Sequence, residues 1–189
     1  MTSQSTLILV RKARNGDLQA RDEVIKRYYQ DWMDLFHGEL GKTIRKLYDT
    51  KDLVQSAVAD ALLQLSNLRN ESAFYTWVTS IIRHKIATQK RRLKREVPLK
   101  GPEDSNGLEA VAPPEHRTDH EDINHVYLQT LDGILALFPE HPEEMSAVVL
   151  KLLDEKPVSY IAKFLQASER TTYRLLQTGT ALLKEKLES

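Results

Sequence analysis

Residues 74–95 read FYTWVTSIIRHKIATQKRRLKR, and this stretch carries the strongest structural signal in the chain. It opens with three closely spaced aromatic residues, continues as an apolar stripe, and ends in a cluster of cations. An amphipathic helix with this order has two interpretations. It is either a core helix with a solvated basic end, or a helix that holds an unpaired DNA strand, because aromatic rings stack on bases and Lys and Arg attract phosphates.

The rest of the chain also has helical spacing, and it lacks the sustained alternation of apolar and polar residues that predicts strands. In the N-terminal half we expect a short helix from about Leu7, a second helix capped by Asp17, a third from about Thr50 to Leu68, and a cap at Asn70 for the aromatic-basic helix. In the C-terminal half the pattern predicts helices over Ile123–Leu137, Pro142–Leu153, Val158–Leu165 and Ser168–Leu187.

Residues 96–119 interrupt this pattern, since they hold four of the seven prolines and two of the seven glycines and have no periodicity. Such a composition is typical of a flexible linker. The predicted fold is therefore all-α, with two helical domains joined by a flexible acidic linker. The predicted boundaries are 1–95, 96–121 and 122–189.

The formal net charge is zero, but the charges are segregated along the chain. Residues 83–100 carry eight Lys and Arg against one Glu, whereas residues 101–124 carry seven Asp and Glu against one Arg. Blocks of this kind steer association with charged partners. The absence of cysteine excludes disulfides and thiolate metal sites, and with no apolar run of membrane-spanning length and no signal peptide we expect a cytoplasmic protein without a membrane partner.

The C-terminal part contains a helix-turn-helix pattern. Apolar residues line a short helix before position 165 and a longer one after position 168, and the small Ala162 allows the two helices to cross closely. The second helix of such a motif enters the major groove by its N-terminal residues. Gln166 stands in the turn where Gly is common, and a left-handed conformation there would cost about 1 kcal/mol.

Together these features resemble an extracytoplasmic-function (ECF) sigma factor of RNA polymerase, a minimal member of the sigma-70 family. The resemblance covers nearly the whole chain. It is most specific in DTKDLVQ at residues 49–55, in FYTWV at residues 74–78, and in Ile81, Arg83 and the Arg91–Arg92 cluster. The family pattern has an acidic D-x-E-D-L-V-Q, an aromatic F-x-x-W-L, then I-A-R-N and a basic tail.

The resemblance implies a non-enzymatic protein without a cofactor that binds core RNA polymerase through its β′ and β subunits and binds promoter DNA. Residues 1–95 would be sigma region 2, and residues 122–189 would be the region 4 helix-turn-helix. The implied polymerase-binding residues are Asp49, Asp52, Leu53, Val54 and Gln55. The implied minus-ten DNA residues are Asn67, Arg69, Asn70, Phe74, Tyr75, Trp77, Arg83, His84, Lys90, Arg91 and Arg92. The implied minus-thirty-five DNA residues are Ser168, Arg170, Thr171, Tyr173 and Arg174.

Lys51 departs from the family pattern, because it replaces an acid in the polymerase-facing motif. A basic residue there should weaken docking to a basic coiled coil. Phosphorylation of the neighbouring Thr50 would add about −1.5 to −2 charge and would favour a helix N-terminus. Thr50 is thus a candidate phosphorylation site, with Ser/Thr kinases and anti-sigma proteins as candidate regulators, although an N-cap role for Asp49 or Thr50 explains the same residues.

Two other readings stay open at this level. The chain could be a helix-turn-helix regulator that binds duplex DNA without polymerase, or a helical adaptor that sequesters a transcription partner. Catalysis has no support, since the sequence has no phosphate-binding Gly-rich loop, no HExxH and no GxSxG. His116, His120 and His125 have spacing that a metal site can use, but they fall in or beside the linker without thiolate partners, so no metal is predicted.

Overall fold

The computed structural model describes residues 5–39, 49–96 and 117–189 of the chain. These residues form eight α-helices and no strand, which confirms the all-α prediction. Most of the predicted linker, residues 97–116, lies outside the described residues. His116 and the side chain of His120 lie outside them as well. The helices are α1 (Thr6–Arg14), α2 (Leu18–Glu39), α3 (Thr50–Leu63), α4 (Phe74–Glu96), α5 (Arg117–Leu137), α6 (Pro142–Val148), α7 (Val158–Phe164) and α8 (Glu169–Glu188).

Polar caps start the N-terminal helices where the sequence predicts them. Asp17 accepts a hydrogen bond from the Ala20 backbone N–H at 3.0 Å, and Asp49 accepts one from Lys51 at 2.9 Å. Asn70 caps a 3₁₀ turn, Glu71–Ala73, that leads directly into α4. Each cap satisfies a backbone donor that the first turn of a helix leaves without an intrahelical partner.

The helix boundaries differ from the prediction in three places. Helix α3 ends at Leu63 and a separate 3₁₀ turn covers Leu65–Asn67, whereas α5 begins at Arg117, within the predicted linker. The helix predicted over Pro142–Leu153 is α-helical to Val148 and continues as a π-helical turn over Val149–Leu153. Periodicity does not resolve such changes, because α, 3₁₀ and π turns expose similar faces over a few residues.

Helices α7 and α8 form the predicted helix-turn-helix. Gln166 has φ of 53° in the turn, so a left-handed residue does stand where Gly is common. Ser168 caps α8 by accepting a hydrogen bond from the Thr171 backbone N–H at 3.1 Å. Gly179 permits α8 to approach α6, since a Cβ there would come within 2.8 Å of Val148.

One hydrophobic core joins the N-terminal and C-terminal helices. Trp32, Phe36 and Ile82 belong to the same buried cluster as Ile134 and Met145. All five side chains are fully buried. Residues from both predicted domains therefore share an apolar interior in this conformation.

Glu71 ties α1 to the start of α4. Its Oε1 lies 3.1 Å from both Arg11 Nε and Arg14 Nη2, and its side chain is 14% exposed. Burial alone would raise the pKa of this carboxyl, but the hydrogen bond from Arg11, the backbone N–H and the two guanidinium charges outweigh burial and lower the pKa below its ordinary value of 4.5. The ionised form therefore stabilises the fold.

We expect Glu71→Gln to lower the free energy of unfolding by about 1 kcal/mol at pH 7. A carboxyl with a lowered pKa in the folded state contributes stability above its unfolded pKa and loses it as the pH falls through the folded value. The difference between wild type and variant should thus shrink below about pH 4. Urea titrations at several pH values measure this difference, and Glu23→Gln serves as a control, since Glu23 is 51% exposed and pairs with Arg27 at 3.5 Å. A difference that is constant from pH 7 to pH 3 would contradict this role.

Candidate nucleic-acid interface

The predicted polymerase-binding residues occupy the first turns of α3. Asp49, Asp52 and Gln55 are exposed, whereas Leu53 and Val54 are buried in the core. The exposed three present two carboxylates and an amide to solvent. The buried two fix the orientation of the helix that carries them.

A cleft of about 640 Å³ lies between the N-terminal helices and the turn that follows α5. Asn67, Trp77 and His84 line it from the N-terminal side, and Phe138 and Pro139 line it from the other. Its volume lies within the range of ligand sites, and its walls combine apolar surface with a few polar side chains, as such sites usually do. The structure thus brings three of the predicted minus-ten residues to one concave surface.

The aromatic residues at the start of α4 are mostly in the core. Phe74 is 3% exposed and Trp77 is 5% exposed, while Tyr75 is half-buried. Tyr75 stacks on Trp32 with ring centroids 6.4 Å apart, and it also contacts Phe164 of α7 at 6.3 Å. We expected these rings to offer open faces on which bases could stack. In this conformation most of their surface instead packs against other side chains of the core.

Arg83 is buried in the middle of α4, at 3% exposure. Its Nε donates to Glu39 Oε1 at 2.9 Å, and its Nη2 donates to Asp154 Oδ1 at 2.5 Å. Burial opposes the charge, but the charges and hydrogen bonds of the two carboxylates outweigh it and raise the pKa of Arg83 further. A predicted DNA-binding cation is therefore held inside the protein by two acids.

Three further C-terminal residues contact the same side of the N-terminal half. Ser146 Oγ lies 2.7 Å from Thr76 Oγ1, and both residues are fully buried. Glu143 accepts a hydrogen bond from Asn70 Nδ2 at 2.8 Å. Asp132 Oδ1 lies 2.9 Å from His84 Nε2. Sequence reasoning missed Asp132, Glu143, Ser146 and Asp154, since no local pattern marks them.

The other predicted minus-ten residues are more accessible. Arg91 and Arg92 are exposed near the end of α4, and Asn67 and Arg69 are exposed before its start. Lys90 is half-buried, and its Nζ donates to the Glu39 carbonyl oxygen at 2.9 Å. Exposed cations therefore lie near the C-terminal end of α4, and exposed polar groups lie just before its N-terminal end.

Helix α8 separates buried from exposed residues as a recognition helix requires. Thr172 and Leu175 are buried, whereas Arg170, Tyr173 and Arg174 are exposed, with Tyr173 at 60%. Ser168 is exposed and caps the helix, and Thr171 is half-buried. The free face begins at the N-terminal turns, which is the part of such a helix that contacts base edges.

The described residues were also searched for membrane-spanning helices and for groups of metal ligands. None of the described helices combines the length and apolarity needed to cross a membrane. Within residues 5–39, 49–92 and 123–189, no three His, Cys, Asp or Glu side chains come together in an arrangement that could hold a metal ion.

Comparison with known proteins identifies the family to which the chain belongs. A family model described as "ECF sigma factor" matches residues 3–189. The RNA polymerase sigma-H factor of Pseudomonas aeruginosa is 27% identical to the chain over 145 residues, which cover 71% of this chain and 72% of that protein. The ECF RNA polymerase sigma-E factor of Escherichia coli is 24% identical over 156 residues, or 78% of this chain and 75% of its own length. The chain therefore belongs to the ECF sigma factors, alternative sigma factors that act in transcription with RNA polymerase and promoter DNA.

Proposed function

We propose that this chain binds core RNA polymerase in the cytoplasm and directs initiation at promoters with a specific minus-ten and minus-thirty-five element. The observation that carries the proposal is the presence of two separate surfaces with exposed polar side chains, one beside the cleft and at the two ends of α4 and one on α8. A protein that selects promoters needs both, because each element is read at a different place. No catalytic step is assigned to the chain itself.

Polymerase docking is assigned to the exposed residues of α3. Asp49, Asp52 and Gln55 would face a basic coiled coil of the β′ subunit, with further contacts to the β subunit. Leu53 and Val54 contribute indirectly, since their burial sets the position of the exposed residues. Lys51 is exposed between the acids and weakens the attraction.

Minus-ten binding is assigned to the loop before α4, to the cleft and to the basic end of α4. Asn67 and His84 would contact an unpaired base at the cleft, and Arg91 and Arg92 would bind the backbone. Phe74, Tyr75 and Trp77 would then support the cleft from within, because little of their ring surface is open. Residues 1–95 would bind the minus-ten element and the polymerase, and residues 122–189 would bind the minus-thirty-five element. Residues 96–121 would connect these two domains.

Upstream binding is assigned to the exposed face of α8. Arg170, Tyr173 and Arg174 present donors and a ring at the N-terminal turns of a helix that the helix-turn-helix holds outward. Arg donates two hydrogen bonds to guanine in the major groove, and Thr and Ser contact either bases or phosphates. The exposed residues therefore suit duplex DNA.

A transcription assay tests the proposal. The purified chain is mixed with core polymerase and genomic DNA of its own organism, and transcript 5′ ends are mapped with and without the chain. We expect new starts that share a two-block upstream motif. A chain that instead shifts duplex DNA without polymerase would be an ordinary helix-turn-helix regulator, and one that supports neither initiation nor DNA binding would be an adaptor; either result contradicts the proposal.

Regulation is assigned to a Ser/Thr kinase acting at Thr50, or to an anti-sigma protein. Thr50 is the first residue of α3, where a phosphate is favoured by the helix N-terminus and would offset Lys51. Its side chain is only 8% exposed, so the first turn of α3 must open for a kinase to reach it.

We expect Thr50→Asp to bind core polymerase up to about fivefold more tightly than wild type, since one added negative charge opposite a basic partner surface contributes about 0.2–1 kcal/mol of attraction. Thr50→Ala should bind like wild type. Titration of labelled core polymerase measures all three affinities. Equal affinities of wild type and the two variants would contradict regulation by phosphorylation at Thr50. Regulation by an anti-sigma protein would then be the alternative.

A further inference from the structure

The loop before α4, which the proposed function assigns to minus-ten DNA, is held from outside by α1. We propose that Arg14, the last residue of α1, is a positioning residue that fixes this loop in the conformation that presents Asn67 and Arg69 to an unpaired base. The inference rests on the proposed function and deepens it, because it names a residue outside the predicted DNA-binding set on which base preference depends.

The first support is the structure of the loop itself. The loop spans residues 65–73 and consists of two 3₁₀ turns with residues 68–70 between them. Leu68 is 2% exposed and belongs to the main hydrophobic cluster, whereas Asn67 and Arg69 on either side of it are exposed. One apolar side chain thus anchors the loop, and its backbone carbonyl groups still need hydrogen-bond donors, because no regular secondary structure supplies them.

The second support is that Arg14 supplies those donors. Its Nη1 donates to the Leu68 carbonyl oxygen at 2.9 Å and, at a longer 3.5 Å, to the Arg69 carbonyl oxygen. Its Nη2 lies 3.1 Å from Glu71 Oε1. One planar guanidinium group therefore joins the middle of the loop to the turn that follows it, which the forked geometry of Arg allows.

The third support is the firm attachment of α1 to the core. Leu9, Val10 and Ala13 are buried, and the three share a hydrophobic cluster with Leu68 of the loop. Arg14 therefore reaches the loop from a fixed base. A loop that is already ordered loses less conformational freedom when it binds. Loss of Arg14 should thus weaken discrimination between bases more than general attraction to DNA.

Arg11 provides a matched control on the same helix. Its Nε lies 3.1 Å from the same Oε1 of Glu71, and its side chain is 65% exposed. Within the described residues, Arg11 makes no hydrogen bond to the Leu68 or Arg69 carbonyl oxygen. Substitution of Arg11 or of Arg14 by methionine removes one positive charge and one ion pair with Glu71, but only the Arg14 substitution releases the loop backbone.

Initiation by the chain with core polymerase tests the inference, on a promoter found by the transcript mapping proposed above. The minus-ten element is changed one base at a time, and base preference is the ratio of initiation rates on the original and the changed element. We expect Arg14→Met to lower this ratio about fivefold or more at one or two adjacent positions, since a mismatched base in a recognised site typically weakens binding by at least that factor. Arg11→Met should keep the ratio within about twofold of wild type at every position.

Arg14→Lys gives a second readout if the methionine variant does not fold. It keeps the charge and most of the side-chain stem, but an ammonium group lacks the planar fork that bonds Glu71 and the Leu68 carbonyl together. Amide hydrogen exchange over residues 65–73 should be about threefold faster than in wild type, as expected for the loss of one hydrogen bond. Base preference should weaken in the same direction, and Arg11→Lys should show neither change.

Retention of the wild-type base preference by the Arg14 variants would overturn the inference. An equal loss of preference in Arg11→Met would also overturn it, because the ion pair with Glu71 would then matter and the contact with the loop carbonyl would not. If wild type itself fails to initiate with core polymerase, the proposed function is wrong and the inference falls with it. The exchange measurement needs no polymerase, so it reports separately on whether Arg14 orders the loop.

Discussion

Replacing Arg83 with methionine should lower the free energy of unfolding by about 3 kcal/mol or more. Removal of one partner from a buried charge cluster typically costs 3–5 kcal/mol, because the remaining charges are left unpaired. Here the substitution would leave Glu39 and Asp154 facing each other where the guanidinium had joined them. Methionine keeps much of the side-chain length, so the loss reports on charge and hydrogen bonding more than on volume.

Arg91→Met is the matched control for this prediction. It makes the same chemical change two turns further along α4, at an exposed position. We expect it to change the free energy of unfolding by less than about 0.5 kcal/mol. Denaturant titration of the full chain compares the variants, and equal stability of Arg83→Met and Arg91→Met would contradict the role of Arg83 in joining the two halves.

Replacing Arg91 and Arg92 together with alanine should weaken binding of the chain–polymerase complex to promoter DNA broadly, without regard to base sequence. Each phosphate contact adds nearly one unit to the slope of log affinity against log salt concentration. We therefore expect a slope shallower by about 2 and an affinity that is lower by roughly tenfold or more at low salt. The effect should fade as the salt concentration rises.

Lys26→Ala with Lys184→Ala removes the same charge from exposed positions outside the predicted DNA-binding residues. This control should leave the slope within error of wild type. Filter binding or fluorescence anisotropy across a salt series measures both pairs. An unchanged slope in the arginine variant would remove Arg91 and Arg92 from the DNA interface.

Local signals predicted most of the secondary structure. Capping residues such as Asp17 and Asn70 stand where a few neighbouring positions determine the conformation, and both cap as expected. Gln166 stood out from the sequence as a departure, because Gly is common at this position of the turn, and the structure shows that it adopts the left-handed conformation all the same. The π-helical turn over Val149–Leu153 was missed, because the apolar spacing of these five residues fits an α turn as well as a π turn.

Exposure within the candidate site was predictable only in part. The spacing of apolar residues on α8 separated Arg170 and Arg174 from the core correctly. The same reasoning could not place Phe74 and Trp77 inside, since an aromatic residue suits both a core and a stacking surface. Asp154 lies 71 residues from Arg83 along the chain, and only the tertiary fold brings them together.

The most direct test of the account compares two forms of one promoter bound by the chain together with core polymerase. One form is fully paired, and the other carries an unpaired non-template strand at the minus-ten element. The account predicts tighter binding to the unpaired form, and loss of that preference when Asn67 and His84 at the cleft are both replaced by alanine. Equal affinity for the two forms would contradict the claim that the surface around α4 binds the open strand.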